Sequence, residues 1–262
     1  MIPYLTAATT EQFSEALRGI CEALLDTTPV HPRKWQSLDV TESPVHATHE
    51  LPQMTFYYDM PQTRKEAVEA IEPDLPWAEG HFKERVAGVP VNPGEWHDKW
   101  PYHVGREALH QNGGKYDHNY MERMWPAWLH YEDTQLPFTG YRFRVGDLDD
   151  VVKMLDRDST TRQAYLPIWF PEDTGATAGQ RVPCTLGYHF LIWDGVLNLS
   201  YYLRSCEIRR HFTNDVYMAC RLAQWMGNRL GGGLEMGTLH MAIASMHGFV
   251  GDTEWMEERC EN

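Results

Sequence analysis

Residues 185–204 constrain the fold more than any other stretch. Thr185–Trp193 is aromatic and aliphatic, Asp194-Gly195 follows, and Val196–Arg204 is aromatic and aliphatic again. Two strand-length runs joined by Asp-Gly read as a β-hairpin, because that pair accepts the left-handed backbone of a two-residue turn. An isolated hairpin is marginal in water, so it predicts a wider sheet. Further strands are predicted within Leu51–Met60, Gln163–Phe170 and Leu239–Phe249. Helical spacing appears over 11–25, where Phe13, Ala16, Leu17, Ile20, Cys21, Leu24 and Leu25 share one side. Helices are also predicted over 61–72, 77–86, 147–155 and 216–226, with loop over 26–50 and 171–180. Strands and helices do not alternate as regular βαβ units, so the class is α+β. Residues 88–120 carry many Trp, His, Tyr and Gly residues, which suits a packed functional loop.

Charge and composition exclude several roles. The 262 residues hold 23 Lys and Arg against 37 Asp and Glu, a net charge of −14. Such a chain repels duplex DNA, so no nucleic-acid partner is expected. No apolar run reaches the ~20 residues of a membrane span, and Met1–Thr10 lacks the pattern of a secretory signal, so no membrane role and a cytoplasmic setting are expected. The length fits one large domain or two small ones. Five cysteines (Cys21, Cys184, Cys206, Cys220 and Cys260) occur without a CxxC pair. Neither a disulfide framework nor a structural metal site is expected.

Cys184 follows Pro183, precedes a predicted strand and has Arg181 nearby. A neighbouring cation lowers a thiol pKa and raises the thiolate fraction, as a nucleophile requires. Read alone, the same position suits an inert thiol at a strand start. The order decides more than any single residue. Arg162 is followed by Trp169-Phe-Pro171, Pro183-Cys184, Arg204-Ser205-Cys206-Glu207 and Asp215. Together these resemble the thymidylate synthase superfamily over about residues 140–250, and the first half of the chain only loosely.

The resemblance implies a large mixed β-sheet flanked by helices, one catalytic domain, and a dimer formed through the sheet. It implies Cys184 as the nucleophile that attacks C6 of a pyrimidine nucleotide. Arg204 and Ser205 would bind the nucleotide phosphate, a task for which the planar fork of arginine is well suited. Arg162 would serve the partner subunit's site, and His240 would lie near the ribose. The segment Trp77-Ala-Glu79-Gly-His-Phe-Lys-Glu84-Arg-Val-Ala-Gly88 with Pro90-Val-Asn-Pro93 resembles the nucleotide hydroxymethylase branch. It implies a catalytic glutamate, Glu79 first and Glu84 second, and folate contacts at Trp77 and Glu79. Tyr120, five residues before Trp125, resembles an active-site tyrosine. The sequence departs from the family at Thr185, His211, Ala242 and Glu207.

The base is read eleven residues after the turn arginine, where the synthases carry Asn. Here that position is Asp215, next to Asn214. A carboxylate accepts from the N4 amino group of cytosine and shares a proton with N3, whereas a carboxamide matches uracil. Read alone, Asp215 is a helix N-cap before Val216. The implied activity is transfer of a hydroxymethyl group from 5,10-methylenetetrahydrofolate to dCMP, with no metal. Alternatives are a methylating synthase on dCMP or dUMP, a CMP hydroxymethylase, and a non-catalytic nucleotide-binding relative. DNA modification in a bacteriophage and nucleoside antibiotic synthesis are two settings for such chemistry. The charged stretch Glu257–Asn262 suits a site open to water better than one closed by an apolar tail.

Overall fold

A computed structural model describes residues 4–35, 38–102, 114–126, 146–174 and 181–261. In chain order its elements are β1 (Leu5–Ala8), α1 (Phe13–Leu25), β2 (Lys34–Trp35), β3 (Leu38–Asp39), β4 (Thr48–Asp59), α2 (Arg64–Ile71), α3 (Trp77–Arg85), α4 (Tyr120–Met124) and α5 (Leu148–Arg157). They continue with β5 (Tyr165–Pro167), α6 (Pro171–Thr174), β6 (Thr185–Trp193), β7 (Val196–Leu203), β8 (Cys206–Glu207), α7 (Thr213–Arg229), β9 (Glu235–Phe249) and α8 (Thr253–Glu261). Parts of the three predicted loops, residues 36–37, 103–113 and 175–180, lie outside the described residues.

The hairpin forms as its sequence predicts. Trp193 opposes Val196, and Asp194 and Gly195 both have positive φ, 50° and 80°. Among the described residues it belongs to a seven-stranded mixed sheet in the order β1-β4-β9-β7-β6-β5, with β8 paired to β9. β1 runs parallel to β4, and β7 and β8 run parallel to β9, while the other pairs are antiparallel. Helices α1 and α7 pack on one sheet face. There Phe13 from α1 meets Phe56 and Tyr58 of β4 and Phe212 at the start of α7, with ring centroids 5.5–6.4 Å apart. Burying four such rings is a large apolar term and fixes the angle between helix and sheet. The opposite face carries Tyr57 stacked on His240, with Tyr202, His189 and Tyr165 beside them.

Several boundaries differ from the sequence expectation. The strand over 163–170 shortens to Tyr165–Pro167, while the helix over 216–226 extends to Thr213–Arg229. β1 and α8 have weak sequence signals and were not foreseen. α8 packs on α1, and its buried Met256 lies against Gly248 of β9, so the charged residues 257–261 belong to a docked helix. They are not a loose segment poised over Cys184.

The path from β7 to α7 places the chemistry. Leu203 ends β7, Arg204 and Ser205 turn the chain, and β8 pairs with β9. Glu207 is buried and accepts the backbone N–H groups of Arg209 (3.0 Å) and Arg210 (2.7 Å), capping a five-residue π-turn. Arg209 and Arg210 are tied in turn to Asp252. This pinned turn delivers the chain into α7 in a fixed register.

Candidate active site

The start of β6, the end of β7 and the first turn of α7 converge. Cys184 immediately precedes β6 and is half-buried. Arg204 reaches back across the turn. Its Nε donates to the Pro183 carbonyl (2.9 Å), and its Nη2 donates to the Val182 carbonyl (3.1 Å) and lies 3.7 Å from Cys184 Sγ. The arginine of the Arg-Ser turn therefore both shapes the cysteine loop and faces the thiol. Ser205 Oγ lies 3.4 Å from His247 Nδ1.

Asp215 sits in the first turn of α7, whose N-cap residue is Phe212, so the N-cap reading of Asp215 is not what the chain adopts. The preceding π-turn starts the helix earlier than the sequence pattern suggests. The Cys206 thiol donates to Asp215 Oδ2 (3.8 Å). Burial pushes the Asp215 carboxyl up to about 6, against the opposing charge of Arg85 and hydrogen bonds from Cys206 and Tyr201. Its neighbour Asn214 points elsewhere: its Oδ1 accepts from the Asp74 backbone (3.0 Å) and its Nδ2 donates to Asp74 Oδ2 (2.8 Å) and the Arg210 carbonyl (3.1 Å). Adjacent residues on a helix diverge by about 100°, and here Asp215 takes the side facing Cys184.

The thiol departs from the sequence expectation. Burial pushes the Cys184 pKa up, and Asp215 adds to the rise. Arg204 and Arg181 pull it down without prevailing. The nearby cations are present as expected, but removal from water outweighs them, so the free protein holds a thiol.

Tyr120 opens α4, and its hydroxyl accepts from Thr185 Oγ1 (3.3 Å). Arg85, absent from the sequence expectation, stacks over its ring at 4.2 Å. Arg85 is 5% exposed; its Nη2 meets His81 Nε2 at 3.1 Å, and its Nε has no partner among the described residues. Burial, joined by the charge of Arg85, holds His81 well below the usual histidine range, and His118 is depressed by burial with Arg123 and Arg181. The cations here are arginines, and the buried histidines are neutral. Among the described residues no three His, Cys, Asp or Glu side chains converge as a metal requires.

The two glutamates separate sharply. Glu79 lies on α3 facing α7, where it accepts from Tyr217 Oη (2.7 Å) and Arg221 Nε (3.1 Å) and pairs with Arg64 (3.3 Å). Burial alone would raise its pKa, but those bonds and charges hold it low. The described contacts spend Glu79 on joining α3 to α7 and do not bring it to Cys184. Glu84 accepts from the Trp96 backbone (3.1 Å), while its Oε2 has no hydrogen bond and lies 3.5 Å from His81 Nδ1. Burial pushes its pKa up. Through His81 and Arg85 it reaches Tyr120.

Other expected residues scatter. Trp77 is 6% exposed and stacks on His81 at 5.2 Å, with Trp100 next at 6.1 Å, so Trp77 backs an aromatic wall whose solvent-facing members are Trp100 and Tyr102. Arg162 is exposed before β5, and its carbonyl meets His189 Nε2 (3.0 Å). His240 stacks on Tyr57 on the opposite sheet face, away from Ser205. His247, missed in the sequence reading, takes the place beside Ser205. A polar cavity of about 240 Å³ between α2, α7 and Gly232–Met236 contains none of the Cys184 group; both of its arginines pair with Glu79.

No family model matches this chain. It is 27% identical over 112 residues to a protein of Methanococcoides burtonii named "Putative thymidylate synthase", and 26% identical over 112 residues to one of the same name from Methanosarcina barkeri. Each match covers 43% of this chain and 49% of the relative, so the chain spans about half the length of the curated relatives it matches. The seven-stranded mixed sheet flanked by helices is compatible with a thymidylate-synthase-like fold.

Proposed function

We propose that this chain is a one-carbon transferase of thymidylate synthase type that acts at C5 of a cytosine nucleotide, with dCMP as substrate and 5-hydroxymethyl-dCMP as product. The observation that carries the reading is the divergence of Asn214 and Asp215: the carboxamide is spent on Asp74, and the carboxyl lies with Cys184, Cys206 and Tyr201. Resemblance to relatives named for thymidylate synthesis supports the reaction class, with 5,10-methylenetetrahydrofolate as co-substrate and no metal.

In this reading the nucleotide phosphate engages the Arg204 guanidinium and the Ser205 hydroxyl beside the cysteine loop. Cys184 adds to C6 as thiolate, which makes C5 nucleophilic toward the one-carbon unit. Negative charge moves toward N3, where Asp215 supplies a shared proton, and an acid that titrates near 6 is matched to that exchange. Glu84, with one oxygen unbonded and its pKa raised, is the glutamate of the site; Glu79 is structural. Trp100 and Tyr102 offer a flat surface for the pterin. His118, His247 and Arg181 make a polar surround in which water quenches the exocyclic methylene, giving hydroxymethyl. Arg162 reaches a partner subunit across the sheet face that carries Tyr57, Tyr202 and His240. The whole chain acts as one catalytic domain.

Release of tritium from 5-tritiated dCMP tests the reading, because C5 substitution expels that hydrogen. Release that depends on folate supports it; no release from any pyrimidine nucleotide by folded protein favours a non-catalytic nucleotide binder. Asp215→Asn exchanges an acceptor pair for a donor and an acceptor. Mispairing at a buried site costs roughly 1–3 kcal/mol, so the dCMP-to-dUMP preference should fall at least about tenfold.

A further inference from the structure

Cys206 follows the Arg-Ser turn and is fixed by β8, where it pairs with Met246 of β9. It is 2% exposed. Its thiol donates to Asp215 Oδ2 (3.8 Å), and the Glu207 carbonyl, at 4.0 Å, is the more distant acceptor. Burial, with the Asp215 charge beside it, holds the Cys206 pKa well above the usual thiol range. The group therefore keeps its proton and stays a donor. The C5 chemistry above gives this thiol no part.

A carboxyl that reads a base needs such a neighbour. A protonated carboxyl carries one O–H donor and one carbonyl acceptor, and the proton can sit on either oxygen. One form matches cytosine: the O–H donates to N3, and the carbonyl oxygen accepts from the N4 amino group. The other form matches uracil: the O–H donates to O4, and the carbonyl oxygen accepts from N3–H. The carboxyl alone is ambivalent. We propose that Cys206 is a positioning residue that sets base specificity: by donating to Oδ2, its thiol keeps that oxygen the acceptor and leaves the acid proton on Oδ1. This rests on the cytosine reading above, in which Oδ2 faces N4 and Oδ1 faces N3. Oδ2 then gives one lone pair to the thiol and the other to the amino group. Uracil would set its O4 acceptor against Oδ2, and the proton needed there would make Oδ2 a poorer acceptor for the thiol.

The other groups around the carboxyl do not make this choice. Asp215 is faced by Arg85 from α3, Tyr201 from β7, Cys206 from β8 and, at longer range, Tyr188, Tyr120 and Cys184. Arg85 acts through its charge, which favours the ionised form without singling out one oxygen. Tyr201 shares its hydroxyl with Thr185 Oγ1 (2.8 Å). The Cys206 bond is directional and falls on one named oxygen.

Cys206→Val removes the donor and fills the space, and Cys206→Ser restores a donor. Folding of both is checked by circular dichroism. The ratio of kcat/KM for dCMP to that for dUMP should fall about three- to tenfold in Val, the range of one weak hydrogen bond, and Ser should recover most of it. The step that Asp215 contributes near pH 6 to the dCMP pH profile should move up in Val, because a lost donor disfavours the carboxylate, and return in Ser. A ratio in Val within about twofold of native, or one that rises, overturns the proposal. A second arm needs no substrate. The S–H stretching band of Cys206, isolated as the infrared difference between native protein and Cys206→Val, should shift as Asp215 titrates near pH 6 and stay still in Asp215→Asn. A native band that ignores pH overturns the contact itself. If the band titrates but no pyrimidine nucleotide is turned over, the substrate reading falls and takes the specificity role with it, while the thiol–carboxyl contact stands.

Discussion

Asp215→Asn should change stability in a pH-dependent way that the site geometry sets. The carboxyl is enclosed by Arg85, Tyr201 and Cys206, and burial raises its pKa from 3.8 to about 6. A folded-state pKa above the unfolded one means that the folded state binds the proton more tightly. That contribution is fully present below about pH 4 and is lost as pH rises through about 6. Above that range the ionised carboxylate opposes folding. Roughly two pH units at 1.36 kcal/mol each give at most about 3 kcal/mol, because the group keeps some solvent contact. About 2 kcal/mol of this falls between about pH 4.5 and pH 7.5. The amide does not titrate, so the variant's stability relative to native should climb by about that amount across the range. Urea unfolding of both proteins at matched pH values measures the difference, and other titrating groups cancel in it. A difference that stays flat, or that falls as pH rises, refutes the placement of Asp215 in a desolvated site.

Other consequences are equally direct. Cys184→Ser should abolish turnover while leaving the unfolding midpoint within about a degree of native, since removing the nucleophile closes the covalent route; near-normal activity in that variant contradicts the chemistry. Glu79→Gln should cost about 3 kcal/mol in urea unfolding, because it strips the charge partner from Arg221 and Arg64, whereas Glu84→Gln should leave stability nearly unchanged and reduce kcat. The opposite pattern would restore Glu79 to the site. If the sheet face joins two copies, mixing Arg162→Ala with Cys184→Ser chains should regain part of the activity in a dimer; an active monomer in sedimentation rules that out.

The hairpin was legible because Asp-Gly and its flanking strands carry a local signal, and the capped helix at 147–157 was legible for the same reason. Asp215 against Asn214 was not, since counting residues cannot reveal that Glu207 draws 208–212 into a π-turn and thereby sets the helix register. The glutamates were ambiguous because both lie on α3, and only the packing of that helix on α7 assigns Glu79 to Arg221. Arg85 gave no sequence signal: a charged residue on a polar helix looks solvated until Tyr120 and His81 are found packed against it. His247 gave no sequence signal, because the buried positions of β9 change parity between Ile243 and Met246 and strand alternation from His240 does not carry across that point. That residues 253–261 form a helix on α1 was not legible, because charge patterning does not distinguish a free segment from a docked helix.

The central claim is best tested by product mass after incubation of the protein with 5,10-methylenetetrahydrofolate and each of dCMP, CMP, dUMP and UMP. The expected products are 5-hydroxymethyl-dCMP and tetrahydrofolate, with little conversion of the uracil nucleotides. Formation of 5-methyl-dCMP or dTMP with dihydrofolate would contradict it, as would selective turnover of dUMP.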